Sequence, residues 1–109
     1  MTPSAPESTM DLSPKQLAEV RRILIATIPG CTVWAFGSRV NGSAKQYSDL
    51  DLVVLAPQPL ALDILADLNE QFDESDLPFK VDLLDWATTS EAFRKIIQAE
   101  RMVLWDGDE

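Results

Sequence analysis

Phe36-Gly37-Ser38-Arg39-Val40-Asn41-Gly42-Ser43 leads, after a short polar interval, to Ser48-Asp49-Leu50-Asp51-Leu52. The first block continues Thr32 to Phe36, TVWAF, a run rich in β-formers and bounded by glycines, which reads as a strand. The second opens Asp49 to Leu55, DLDLVVL, a strand whose carboxylates alternate with apolar residues before it turns wholly apolar. That change of pattern puts one end of the strand at a site. Two phosphate and metal motifs fail on this stretch. A P-loop needs Lys and Ser/Thr directly after its second glycine, whereas Ser43 and Ala44 follow Gly42. An EF-hand starting at Asp49 needs an acid or Asn at Val53 and a glycine at Val54.

What remains is Gly-Ser, ten residues, then Asp-x-Asp at the head of an apolar strand. Residues two apart on a strand share a face, so Asp49 and Asp51 project side by side with Cα atoms ~6–7 Å apart. Catalytic metal pairs lie ~3.5–4 Å apart and are held by such carboxylates. A third acid on a neighbouring strand would complete the cage, and Asp82 fits. Asp85 is an odd number of positions from Asp82, points to the opposite face and ranks well below it. Gly37-Ser38 follows a strand, where a missing Cβ lets phosphate approach the backbone and a hydroxyl can donate to its oxygens. Arg39 reads either as a phosphate contact or as a surface cation, and Lys45 is a weaker candidate of the same kind. Ser48 reads as a cap on the start of the strand.

Working outward, Ser13 is an N-cap with Pro14 at the first helical position and Gln16 closing an S-x-x-Q box. The helix runs to about Thr27 with Leu17, Val20, Leu24 and Ile28 as its apolar face, and Pro29-Gly30 ends it. A second helix over Leu60 to Phe72 offers Leu62, Leu65, Leu68 and Phe72 to the core, with Asp63, Asp67 and Glu70 as solvated surface. KVDLLDW is a third strand. Thr88 with Glu91 forms a T-x-x-E box opening a helix to about Gln98, with Phe93, Ile96 and Ile97 inward. MVLW, Met102 to Trp105, reads as a short fourth strand. Trp34, Trp86 and Trp105 read as core or interface anchors. The expected fold is α+β: a two-layer α/β sandwich with a small mixed sheet of three to four strands and helices mainly on one face.

The whole chain of 109 residues suits one small domain, expected over residues 13–105. Its Pro/Ser/Thr-rich opening, residues 1–12, reads as a disordered tail, and residues 106–109 as an acidic end. Histidine is absent, which excludes Ser-His-Asp triads and histidine-ligated zinc, so catalysis falls to carboxylates. The lone Cys31 cannot form an internal disulfide and suits a reducing compartment. With 9 basic against 18 acidic residues, a net charge of −9, direct nucleic-acid binding is disfavoured. No signal peptide and no apolar run of membrane-spanning length is present, so the expected location is cytoplasmic with no membrane association.

Gly37, Ser38, Asp49 and Asp51 meet the pattern G-S-x10-D-x-D, and Asp82 the later strand acid, of a known family. The chain resembles the minimal nucleotidyltransferases, small members of the DNA polymerase β-type superfamily, from about Ser13 to Trp105. The resemblance implies the nucleotidyltransferase fold and Asp49, Asp51 and Asp82 as catalytic residues binding two Mg²⁺. It further implies that Gly37, Ser38, Arg39 and Ser48 hold the nucleotide, with ATP as substrate. Minimal members often act as antitoxins in HEPN/MNT modules, and some transfer AMP to a tyrosine of a HEPN-type ribonuclease. The resemblance therefore implies AMP transfer to a hydroxyl on such a partner protein. The alternatives are a non-catalytic module that masks its partner, and transfer to a small molecule.

Overall fold

A computed structural model of the chain describes residues 12–42 and 48–107. Residues 1–11 of the tail expected over residues 1–12, Lys45 and the last two acids of the C-terminal end lie outside the described residues. Helix α1 (Pro14–Thr27) starts as its capping chemistry dictates. The Ser13 hydroxyl accepts from the Gln16 N–H at 3.1 Å, and the Gln16 side chain accepts from the Ser13 N–H at 3.0 Å. Val20, Ile23 and Leu24 on this helix are fully buried, and Leu12 and Leu17 pack at the margin of the same core.

Strands β1 (Thr32–Phe36), β2 (Leu50–Leu55), β3 (Val81–Asp85) and β4 (Met102–Trp105) form one mixed sheet in the order β3-β2-β1-β4. β1 runs antiparallel to β2 and β4, while β2 and β3 are parallel, joined through helix α3 (Leu62–Asp73). The period of two then sorts the side chains. Val33, Ala35, Leu50, Leu52, Val54 and Val81 join α1 and α3 in the main core, together with Leu68 and Phe72. Phe36 and Val53 point the other way and meet Ile97 of helix α4 (Glu91–Glu100) in a smaller cluster edged by Trp34, Leu55, Leu84 and Trp86. Two helices thus cover one face, and α4 covers part of the other.

Several local expectations are displaced. Asp49 stands just ahead of β2, which begins at Leu50, and residues Ser38–Asn41 form a one-turn helix, α2, between the first two strands, where no helix was expected. Leu62, expected in the core, is 83% exposed. It is the first residue of α3, where the Cα–Cβ bond tilts toward the N-terminus and carries the side chain off the helix end. The T-x-x-E box does not form, because Trp86–Thr88 tighten into a 3₁₀ turn and the Thr88 hydroxyl donates to the Asp85 carbonyl at 3.2 Å. Ser90 caps α4 instead, its hydroxyl accepting from the Phe93 N–H at 3.2 Å. Adjacent helical residues stand about 100° apart, so Ile96 and Ile97 cannot both face the sheet. Ile97 is buried, whereas Ile96 is 55% exposed and Phe93 also reaches solvent.

Candidate active site

The register of the sheet assembles the acids. Phe36 lies opposite Asp51 across β1 and β2, and Asp51 lies beside Asp82 across β2 and β3. A row Phe36–Asp51–Asp82 therefore crosses three strands on the face that α4 only partly covers. Asp82 is exposed and Asp51 half-buried; Asp49, exposed, adjoins the row from just before β2. Burial pushes the Asp51 carboxyl up to about 6, helped by the negative charges of Asp82, Asp49 and Glu100. Asp85, as expected, belongs to the opposite face: it pairs in register with the core residue Val54, and its Oδ2 accepts from the Leu60 N–H at 2.9 Å.

Gly37 has φ 84° and ψ −158°, a region in which essentially only glycine is at ease. A Cβ at this position would lie 3.2 Å from Cγ of Asp51 and closer still to its Oδ2. The glycine expected to admit phosphate thus also makes room for the half-buried aspartate. Its N–H donates to Oε2 of Glu100 at 3.0 Å. Ser38 opens α2 directly after it, and the Val40 N–H returns to the Gly37 carbonyl at 2.9 Å.

Arg39 is not a surface cation. It is 5% exposed, its Nε donates to the Ser48 carbonyl at 2.9 Å, and its guanidinium lies 4.2 Å over the Phe79 ring. It braces α2 against the residue preceding Asp49. Ser48 enters this brace through its backbone oxygen. The tryptophans behave as anchors: Trp34 and Trp86 meet edge to face at 5.4 Å, and the Trp105 indole N–H donates to the Pro29 carbonyl at 3.0 Å.

Glu100 is the neighbour that sequence reasoning missed. A signal for it existed, because an acid at the C-terminal residue of a helix opposes the macrodipole and calls for a compensating donor. As for a metal, among the described residues no three His, Cys, Asp or Glu side chains converge closely enough to hold an ion. The donor type nevertheless suits a hard divalent cation, which takes carboxylate oxygens. Burial, and after it the charges of Asp82, Asp49 and Glu100, raise the Asp51 carboxyl, and such a cation would neutralise the negative charge gathered there.

The chain is similar to proteins of known family. The family model for polymerase beta, nucleotidyltransferase, matches residues 30–109. A Haemophilus influenzae protein named probable protein adenylyltransferase MntA is 51% identical over 100 residues, spanning 92% of this chain and 88% of that one. Among solved structures, a toxin-antitoxin with AMP-PNP superposes with a TM-score of 0.70 at 26% identity, over 83% of this chain and 73% of the other. A complex of a tri-AMPylated Shewanella oneidensis HEPN toxin with its MNT antitoxin gives a TM-score of 0.62 at 25% identity, over 83% and 69%.

Proposed function

This chain belongs to the polymerase β nucleotidyltransferase family, and from that premise we propose that it transfers AMP from ATP to a hydroxyl on a partner protein. The partner is a HEPN-type ribonuclease toxin, which the chain silences as its antitoxin in the cytoplasm. The observation that carries the reading is the placement of Asp51 beside Asp82 in register, with the Gly37–Ser38 turn packed against Asp51.

Asp49, Asp51 and Asp82 would hold two Mg²⁺, which when bound polarise the α-phosphate and stabilise departing pyrophosphate. The chain's own residues do the rest. Ser38 receives the triphosphate on the turn, its hydroxyl donating to phosphate oxygen. Arg39 and Ser48 keep that turn and the start of β2 at a fixed separation through their hydrogen bond. The acceptor oxygen attacks the α-phosphorus, the bond to the β-phosphate bridging oxygen breaks, and pyrophosphate leaves. Asp82, an exposed carboxylate of the row, takes the hydroxyl proton. A net charge of −9 suits a protein acceptor with a basic RNA-binding surface, because opposite fields steer the two together.

The test is intact mass after incubation of the HEPN-type partner with the chain, ATP and Mg²⁺. An AMP-sized increment on the partner that vanishes with Asp49→Asn is the expected result. Neutralisation of the ribonuclease without any adduct, equally by wild type and by Asp49→Asn, refutes it and leaves masking as the mode of action.

A further inference from the structure

Gly37 stands between two carboxylates. On the side of its missing Cβ lies Asp51, and at its N–H lies Oε2 of Glu100, 3.0 Å away. Glu100 is the last residue of α4, so its carboxylate faces the negative end of the helix macrodipole. An arrangement serving only the stability of α4 would carry a basic side chain there. The acid is held in place by a backbone donor whose residue has φ 84°, the least forgiving conformation in the site. The turn is short, and its helix α2 spans only Ser38–Asn41, so it has little structure of its own to hold that conformation. α4 is in turn fixed to the sheet by Ile97 in the smaller cluster, and to the 3₁₀ turn after β3 by Arg94, whose Nη2 donates to the Trp86 carbonyl at 2.6 Å.

We propose that Glu100 is a positioning residue for the nucleotide turn. From the end of α4 its carboxylate clamps the Gly37 amide and holds the Gly37–Ser38 turn in the conformation that presents Ser38 to the triphosphate. The inference rests on the nucleotidyl-transfer reading and adds a residue outside the G-S-x10-D-x-D pattern. Its role lies in ground-state binding of the nucleotide, because it fixes a preformed turn and does not touch the reacting phosphorus.

Three substitutions separate the accepted hydrogen bond from the charge. Glu100→Gln keeps an acceptor of the same reach and loses the charge. Glu100→Asp keeps the charge and loses the reach. Glu100→Ala loses both. Two readouts are taken on the isolated chain: the exchange rate of the Gly37 amide by ¹H–¹⁵N spectroscopy, and the Kd for ATP with Mg²⁺ by calorimetry. Loss of the bond should speed Gly37 exchange and weaken ATP binding by roughly tenfold in the Ala and Asp variants, with Gln within about threefold of wild type. Wild-type affinity in Glu100→Ala and Glu100→Asp despite a deprotected Gly37 amide refutes the inference alone. Equal defects in Gln and Ala, with Asp normal, refute it in favour of a role for the charge. Absence of ATP binding by the wild type refutes the function above, and the inference falls with it.

Discussion

Gly37→Ala is the substitution that probes the joint between the nucleotide turn and the carboxylates. The added methyl has two costs, and the structure separates them. A non-glycine residue at φ 84° and ψ −158° carries backbone strain of ~1–3 kcal/mol. The same methyl would press on Asp51, with Cγ at 3.2 Å, so the carboxylate has to leave its place. Directly contacting pairs couple by ~0.5–3 kcal/mol, so the two costs together come to about 3 kcal/mol. For a domain near this size that lowers Tm by on the order of 10–20 °C. The clash is isolated by repeating the substitution in an Asp51→Ala background, where the nearest remaining Asp51 atom is Cβ at 3.5 Å, an ordinary contact. Gly37→Ala should then cost only its strain. Urea melts of the four proteins give the coupling. If the two substitutions add to within ~0.5 kcal/mol, the glycine does not make room for Asp51 and the argued link between the two halves of the motif is wrong.

Asp51 also sets a pH dependence: its folded carboxyl, at about 6, lies above its unfolded value, so the folded state binds more protons between about pH 4 and 6. Its contribution to stability is therefore present at low pH and lost as pH rises through 6. Melts of metal-free protein between about pH 4 and 6.5 should show stability falling with pH, a slope that flattens in Asp51→Asn, and identical slopes would contradict the burial and charge crowding described above. Arg39→Ala should destabilise the fold by about 2–4 kcal/mol, through the lost charged hydrogen bond and the stack on Phe79. Arg39→Lys should not restore it. A variant of unchanged stability that only weakens ATP binding would make Arg39 a phosphate ligand instead of a brace. Ser38→Ala should weaken nucleotide binding with little change in Tm, while Asp85→Asn, which keeps an acceptor for the Leu60 N–H on the far face, should leave AMP transfer near wild type. Equal losses of transfer at Asp82 and Asp85 would overturn the assignment of faces.

The fold was legible wherever local chemistry and period agreed. The S-x-x-Q box of α1 formed atom for atom, and DLDLVVL formed a strand, with Asp51 on the face away from the core residues Leu50, Leu52 and Val54. Misreadings arose where the outcome depended on contacts distant in sequence. Helical spacing marked Phe93, Ile96 and Ile97 as inward; Ile97 is buried and Phe93 meets the Phe36 ring edge to face at 5.8 Å, but Ile96 is 55% exposed because the surface under α4 is narrow. Arg39 carried two readings because nothing local announces that Phe79 and the Ser48 carbonyl will enclose it. The spacing of Gly37, Ser38, Asp49 and Asp51 pointed to a site, whereas Glu100 is brought to Gly37 only by the return of α4 across the sheet.

That return explains why the acids stand where they do. On a strand with core on one face, a carboxylate reaches water only on the other, and there only where cover ends; Asp85, on the core side at the end of β3, takes the Leu60 N–H instead. Val53, under α4, is fully buried; Asp51, one step along the same face, is half-buried; Asp82, beside it on the outer strand, is exposed. The end of α4 thus draws the boundary between dry and wet on this face, and Asp51 falls on it. A carboxylate at such a boundary is accessible enough to meet an anionic nucleotide with its cation, and enclosed enough that its charge is felt strongly. A helix that covered Asp51 completely would force it neutral, and one that ended earlier would leave it an ordinary surface acid. The length of α4 and the anchoring of its last residue to Gly37 therefore belong to the chemistry of the site as much as to the packing of the fold.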